Sequence, residues 1–337
     1  MFLASPNDFE PLKFEYIGVK IMALTIKEAV RKWGPEYLVI CGLNKYFPAM
    51  TTKSHIFFVD GGSGDDGANT GGQIPEEPFL TITKALSECT SGAGDFIFVL
   101  DYYQAAGETW PIAITKQRVH IIGCTEKGTP WPWVCPTGDT AAFEFQGNSG
   151  YSEICGFEIG AGDNHGCIET THSGIEGLHI HDIVFASEIG GMTAKYGIYT
   201  HTGGVLMKAL IENCNFGGGI SADGILISGS TGAHSVKGCR IKNNFFRVDG
   251  IGINIALAAN LGDGGIFDNR FVISSDAAGK AIDLVAGVTG GLIDGNQSVW
   301  DDGTDATTNG YRTITACDVG WGLNYIADGA IGWPATS

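Results

Sequence analysis

Positive charge is scarce in this chain. Its 337 residues carry 20 Lys and Arg against 37 Asp and Glu, a formal net charge of −17. Nucleic acid and anionic membranes are bound through clustered cations, so a surface this acidic argues against both as partners. It would also repel an acidic polysaccharide unless a cation bridged the two. No apolar run approaches the length that spans a bilayer. The N-terminus lacks a basic segment followed by an apolar run and a small-residue cleavage site, so no Sec-type leader is expected. The nine cysteines are odd in number and lack framework spacing, unlike a disulfide-stapled secreted domain. Cys155, Cys167, Cys214 and Cys239 lie in or beside strand patterns, where a reduced cysteine acts as a small apolar residue. That suits synthesis in a reducing cytosol. The 51 glycines show no every-third-residue period, which excludes collagen.

What is present is a repeat. An apolar residue, any residue, Asn or Asp, two more residues and then usually an aromatic recur from about residue 154 to residue 297. The copies read Ile180-His181-Asp182-Ile183-Val184-Phe185, Ile211-Glu212-Asn213-Cys214-Asn215-Phe216, Ile241-Lys242-Asn243-Asn244-Phe245-Phe246 and Ile266-Phe267-Asp268-Asn269-Arg270-Phe271, with a weaker Leu292-Ile293-Asp294-Gly295-Asn296-Gln297. Their starts differ by 31, 30, 25 and 26 residues. A second series of apolar pairs, usually just after a glycine, interleaves with them: Ile168/Thr170, Ile198/Thr200, Ile225/Ile227, Ile253/Ile255 and Ile282/Leu284, at intervals of 30, 27, 28 and 29. Two interleaved series of nearly equal period mark a solenoid whose coils bury their apolar faces by stacking.

Residues 1–53 lack the repeat. Thr25-Ile26-Lys27-Glu28 reads as a capping box, with helix formers to Trp33 and a stop at Gly34-Pro35, predicting a short helix over 26–33. Next come a strand at Ile56-Phe57-Phe58-Val59-Asp60, a loop rich in Gly and Asp, and Pro78-Phe79-Leu80-Thr81-Ile82-Thr83-Lys84-Ala85-Leu86. Ile82, Ala85, Leu86 and Cys89 share one helical face. Buried-type strands follow at 94–100 and 119–123. This order resembles the opening of pectate-lyase-like right-handed parallel β-helix proteins over residues 56–123, and the coil series extends the likeness to about residue 300. The resemblance implies an all-β fold: a single-stranded right-handed parallel β-helix at 54–300, with a short helical N-terminal cap or anchor at 1–53 and an irregular aromatic C-terminal cap at 301–337. The opening is shared by lyases, hydrolases and phage structural proteins, so it implies no particular activity.

Within a strand, residues i and i+2 face the same side. Asp182, Asn213, Asn243, Asp268 and Asp294 are therefore expected inward, stacked as a ladder at one turn. The outward column is His181, Glu212, Lys242, Phe267 and Ile293, polar at first and apolar later, as a partner surface would be. Arg240-Ile241-Lys242 matches the Arg-Ile-Lys signature of polygalacturonase-type β-helix hydrolases, whose other motifs are missing. Lys242 also lies one coil beyond Glu212, which predicts a cross-strand pair. Arg240, Lys242 and Asp268 are the catalytic candidates. Coils about 4.8 Å apart also place carboxylates such as Glu212 with Asp223, or Asp249 with Asp283, near glycosidase separations, with or without catalysis. Asp60, Asp65 and Asp66 offer hard oxygen ligands for a structural Ca2+ ion, the one cofactor candidate, and are also ordinary turn formers. His179 and His181 share an outward face with too few fixed ligands for a complete zinc site. Trp131 and Trp133 suit sugar stacking, a protein interface or groove filling alike.

Two functions remain open. The first is a structural or adhesive phage virion protein of decoration, fibre or tailspike type, homotrimeric, made in the host cytoplasm. It would bind other virion proteins through its N-terminal segment and a host glycan through its coils. The second is a polysaccharide lyase or glycoside hydrolase.

Overall fold

The computed structural model describes residues 53–67, 71–100, 106–124, 131–186, 191–228, 236–256, 258–273, 279–284, 287–300, 311–313 and 317–326. It also describes short strands at Glu15–Tyr16, Val19–Lys20 and Ala335–Thr336. The helix expected over 26–33 lies outside the described residues. No helix among those described is long and apolar enough to cross a membrane.

Apart from the antiparallel pair Glu15–Tyr16 with Val19–Lys20, every strand pair is parallel. Each pair joins one coil to the next, so the chain is a right-handed parallel β-helix. Its strands form a nine-stranded sheet and a sixteen-stranded sheet. The larger one is two columns joined at a corner, because Glu153–Ile159 and His179–Phe185 run through the bend. Both sequence series are rungs of this ladder. Ile154, Ile180, Ile211, Ile241, Ile266 and Ile293 align across coils, as do Ile168, Ile198, Ile225, Ile253, Ile282 and Tyr311. All are buried. The pairing runs past residue 300: Tyr311–Thr313, Asp318–Trp321 and Tyr325–Ile326 add a further parallel layer where an irregular cap was expected.

The corner departs from simple alternation. Asp182, Asn213, Asn243 and Asp268 take φ of 50°, 55°, 56° and 53°, the left-handed region that Asn and Asp tolerate best. They turn the chain outward and are exposed, which corrects the expected inward ladder. The buried ladder lies one residue later. Asn244 Nδ2 donates to Asn269 Oδ1 at 3.0 Å, Asn269 Nδ2 to Asn296 Oδ1 at 3.0 Å, and Asn296 Nδ2 to Asn324 Oδ1 at 2.9 Å. Each Nδ2 also donates to a carbonyl of the preceding coil, at Ile211, Ile241, Ile266 and Ile293. Each Oδ1 also accepts a backbone N–H from the preceding coil, ending at Cys214 N. The buried amides are thereby satisfied, as a low-dielectric interior requires. The register also places the fifth copy one residue on: Ile293 aligns with Ile266 in the core, and Asp294, not Ile293, continues the outward column.

Beside the ladder stack Phe185, Phe216, Phe246 and Phe271, with ring centroids 4.6, 4.4 and 4.8 Å apart. This stack explains the glycines before the second series. A Cβ at Gly197 would lie 2.4 Å from Phe216 Cδ1, one at Gly224 2.6 Å from Phe246 Cδ1, and one at Gly252 2.4 Å from Phe271 Cδ1. One coil on, the stack gives way to Ser298, and the glycine gives way to Ala281 in register with Gly252. Space, not backbone conformation, selects these glycines.

The first coils are closed by the helix Ile82–Glu88, which packs Ile82, Ala85 and Leu86 against strands Ile56–Val59, Phe96–Leu100 and Ile112–Ile114. Thr81 caps it by accepting from Lys84 N at 3.0 Å. Five of the eight cysteines described are buried, and burial pushes the thiols of Cys124 and Cys239 up to about 12.

Candidate functional site

Because neighbouring coils are in register, residues far apart in sequence become rows on the outer face of the corner sheet. Leu210–Glu212, Arg240–Lys242 and Asn260–Phe267 lie side by side there. Over them runs a groove of about 880 Å³, lined by Lys208, Lys237, Arg240, Lys242, Asp263, Phe267 and Asp268, among others. Lys208 and Lys237 reach it from the turns that precede the strands, which are tied together by the hydrogen bond from Lys208 N to Lys237 O. Its lining holds four cations and two acids, a concentration of basic side chains on a strongly acidic chain, with Lys208 and Lys242 offset by Glu176 and Glu212 beside it. The net charge read from composition is therefore not uniform over the surface. Lys242 Nζ lies 2.9 Å from Glu212 Oε2, the cross-strand pair expected from register, and Lys208 Nζ lies 3.5 Å from Glu176. Arg240 is exposed, with no carboxylate partner among the described residues. Asp268 also borders a shallower hollow around the corner, where Arg270 stands over the Phe245 ring at 5.9 Å. The two hollows form an elongated surface rather than an enclosed cavity.

Upstream on the same face lies a polar network. Glu153 and His179 occupy one row; Cys155, His181, Glu212 and Lys242 occupy the next. His120 Nδ1 is 2.6 Å from Glu153 Oε2, His181 Nε2 is 2.7 Å from Glu153 Oε1, and His179 Nε2 is 3.0 Å from Glu212 Oε1. Burial alone would raise the Glu153 carboxyl, but hydrogen bonds from His120 and His181 outweigh it and hold the group far below the carboxylate range. Burial would lower His181, yet its hydrogen bonds and the neighbouring anionic groups outweigh that and raise it well above the ordinary histidine value. Burial and then the charge of His181 lower His179. Glu212, which burial would raise, is held below its ordinary value by Lys242 and His179. Glu212 thus joins network and groove.

The structure gathers the three catalytic candidates, Arg240, Lys242 and Asp268, around one groove. The calcium candidates take part in turns. Asp60 accepts from Gly62 N, Ser63 N and Ser63 Oγ, and Asp65 from Gly67 N. Asp66 accepts from Leu80 N, Thr81 N and Thr81 Oγ1, so it holds the start of the helix. Glu212 and Asp223 are committed separately, the latter to Ile251 N and Asn254 Nδ2. Trp133–Val134 pairs with Glu158–Ile159, stitching that loop to the sheet. Sequence reasoning missed Glu153, although Glu153-Ile154 and His179-Ile180 hold the same place before their isoleucines. It also missed Lys208 and Lys237, which lie on turns outside both series.

Among structures, the chain is similar to the GH136 lacto-N-biosidase of Eubacterium ramulus, at 13% identity over 88% of this chain and 60% of that one, with a TM-score of 0.54. It is also similar to an alginate lyase of Paenibacillus sp. str. FPU-7, at 14% identity over 76% and 96% of the chains with a TM-score of 0.46. A third is ORF18 of Geobacillus virus E2, at 13% identity over 89% and 63% with a TM-score of 0.45. The chain thus spans less than two thirds of the biosidase and virus proteins. At such identity the likeness speaks for fold. No curated protein matches the sequence. A family model matches residues 62–299, most of the β-helix, and by that match the chain belongs to the family described as "Protein of unknown function (DUF1565)".

Proposed function

We propose that this chain is a glycan-binding β-helix of a phage surface, a structural or adhesive virion component whose groove takes a stretch of acidic polysaccharide. The concentration of Lys208, Lys237, Arg240 and Lys242 along one elongated groove carries the reading. A uronate polymer presents a carboxylate at each residue and an apolar sugar face between them. Cations lining a groove, with Phe267 among them, offer charge-assisted hydrogen bonds and a flat apolar contact to such a polymer. The acidic remainder of the surface would repel such a polymer everywhere else, which favours a single binding register. A rigid solenoid with a separate N-terminal segment suits projection from a particle, and a homotrimer would present three such grooves.

The test is binding of the full chain to a panel of uronic-acid and neutral polysaccharides at low and high salt. Salt-sensitive binding confined to acidic polymers, weakened by Arg240→Ala, supports the groove reading. Equal binding to neutral polymers, or none, overturns it. The virion role is tested separately: a monomer by light scattering that is absent from purified particles overturns that part. A second reading, cleavage of the bound polymer, is favoured by the meeting of Arg240, Lys242 and Asp268 in the same groove. Release of unsaturated or reducing ends, abolished by Lys242→Ala, would establish it.

A further inference from the structure

We propose that Glu153, His179 and His181 form a binding site for a divalent transition-metal ion of the zinc class, adjoining the groove through Glu212 and independent of the glycan reading. Among the described residues, these three alone form a group of metal-ligating side chains whose donor atoms converge within 4.8 Å. Glu153 Oε1 stands 2.7 Å from His181 Nε2 and 3.8 Å from His179 Nδ1. Ligands at zinc bond lengths of 2.0–2.1 Å sit about 3.3 Å apart in a tetrahedron. Both glutamate–histidine distances are within about half an ångström of that value, and the three donors together lie within 4.8 Å, so side-chain adjustment could bring them onto one ion. Two imidazoles and a carboxylate are the donor set of an open zinc site, with the fourth position left for solvent.

What makes this more than a polar cluster is the outward half of each ligand. The far nitrogen of His179, Nε2, is held by Glu212 Oε1 at 3.0 Å. The far nitrogen of His181, Nδ1, is held by Asp182 Oδ2 at 2.7 Å. The far oxygen of Glu153, Oε2, is held by His120 Nδ1 at 2.6 Å, and His120 stacks on Phe96 at 4.4 Å. Carboxylates behind the far nitrogens hold each imidazole so that, once a metal ion displaces the proton from the inner nitrogen, its lone pair faces Glu153 Oε1, the arrangement metal-bound histidines use. In the metal-free chain a proton on His181 Nε2 occupies that place, and the ion would replace it. The strand builds this geometry directly. His179 and His181 are two apart on one face, their rings stacked at 4.0 Å, and Glu153 is in register with His179 on the coil before. A second histidine–glutamate group supplies the contrast. Glu169 meets His165 through Oε1 at 3.2 Å and His201 through Oε2 at 2.6 Å, so its two imidazoles lie on different oxygens.

The experiment uses the full chain, stripped with chelator and titrated with Zn2+ alone by calorimetry and with Co2+ by visible absorption. We expect one Zn2+ per chain and an intense tetrahedral-type Co2+ spectrum. His179→Ala and His181→Ala should weaken Zn2+ binding by more than about 100-fold, and Glu212→Gln by about 10–100-fold, because it removes the negative charge behind His179. His201→Ala should leave binding unchanged. No binding by the wild type, binding that survives the two ligand variants, or equal loss on His201→Ala overturns the proposal. Circular dichroism checks that each variant folds. Should a ligand variant fail to fold, Glu212→Gln decides, since unchanged affinity and Co2+ spectrum there also overturn it.

Discussion

The coils before Cys214 and those after it share one backbone plan and differ in what fills the corner. In the earlier coils the inward corner positions are Ile183 and Cys214, and the outer face carries the Glu153–His179–His181 network. In the later ones Asn244, Asn269, Asn296 and Asn324 form a hydrogen-bonded file, and the outer face carries the cationic groove. The same turn is thus stable with an apolar or an amide interior. Inner and outer columns vary independently because a parallel coil presents each to a different environment, which lets one scaffold hold two unlike surfaces.

The sharpest break would come at the amide file. Asn269→Leu removes the acceptor of Asn244 N and Nδ2 and the donor to Ile241 O. Orphaned buried groups cost about 1–3 kcal/mol each, so a loss of about 4 kcal/mol is expected, read from denaturant midpoints. Next, Gly252→Ala drives a Cβ to within 2.4 Å of Phe271 Cδ1, with an overpacking cost of about 2–3 kcal/mol. Phe271→Ser in the same chain should cost less on top of Gly252→Ala than it does alone, in imitation of Ala281 with Ser298, and a double-mutant cycle measures that coupling. On the outer face, Arg240→Ala should leave the midpoint within about 0.5 kcal/mol while lowering affinity for an acidic polymer about tenfold, the loss of one charge-assisted contact.

Two smaller effects sharpen the contrast. Cys214→Asn extends the file by one coil, with Asn244 Oδ1 as acceptor on one side and Ile180 O on the other, where Cys214 Sγ now points. Stability should change by less than about 1 kcal/mol despite a polar group replacing a buried thiol. Asp223 is raised above its ordinary 3.8, first by burial and also by Asp283, against its hydrogen bonds to Asn254 and Ile251. The folded state therefore holds that proton more tightly than the unfolded chain does. The contribution is fully present below 3.8 and is lost as pH rises through the raised value. Asp223→Asn should flatten that decline above pH 3.8, read from denaturant midpoints across the acid range.

Much of the fold was legible because stacked parallel coils force like residues into one column. Ile211 above Ile180 and Phe246 above Phe216 give the period without any partner information. The amide file was misplaced by one position because counting by twos assumes an extended chain, and a left-handed Asn213 or Asp268 spends one residue on turning. A separate misalignment, the fifth copy counted from Leu292 when Ile293 is the one in register with Ile266, put Ile293 outside and Asp294 in the wrong column. Arg240, Lys242 and Asp268 lay within the repeat and were found. Lys208 and Lys237 lie on turns, where coil-to-coil spacing decides proximity and sequence spacing does not. Glu153 was overlooked because the copies were counted from the isoleucine that follows it.

The amide file also has a direction. The side-chain amides of Asn244, Asn269 and Asn296 each donate to the Oδ1 of the next coil's asparagine, so along the file the side-chain dipoles add instead of cancelling. A coil inserted within the file must therefore bring a side chain that can both donate and accept at that position, and a coil added before it needs only a donor, as Cys214 N provides. The file acts as a reading frame for duplication. Copies of the later coils can be spliced after one another without rewriting their interior, whereas splicing an earlier coil into the middle would cut the chain of hydrogen bonds. Growth of such a solenoid is then easiest by repeating the coils that already carry asparagine.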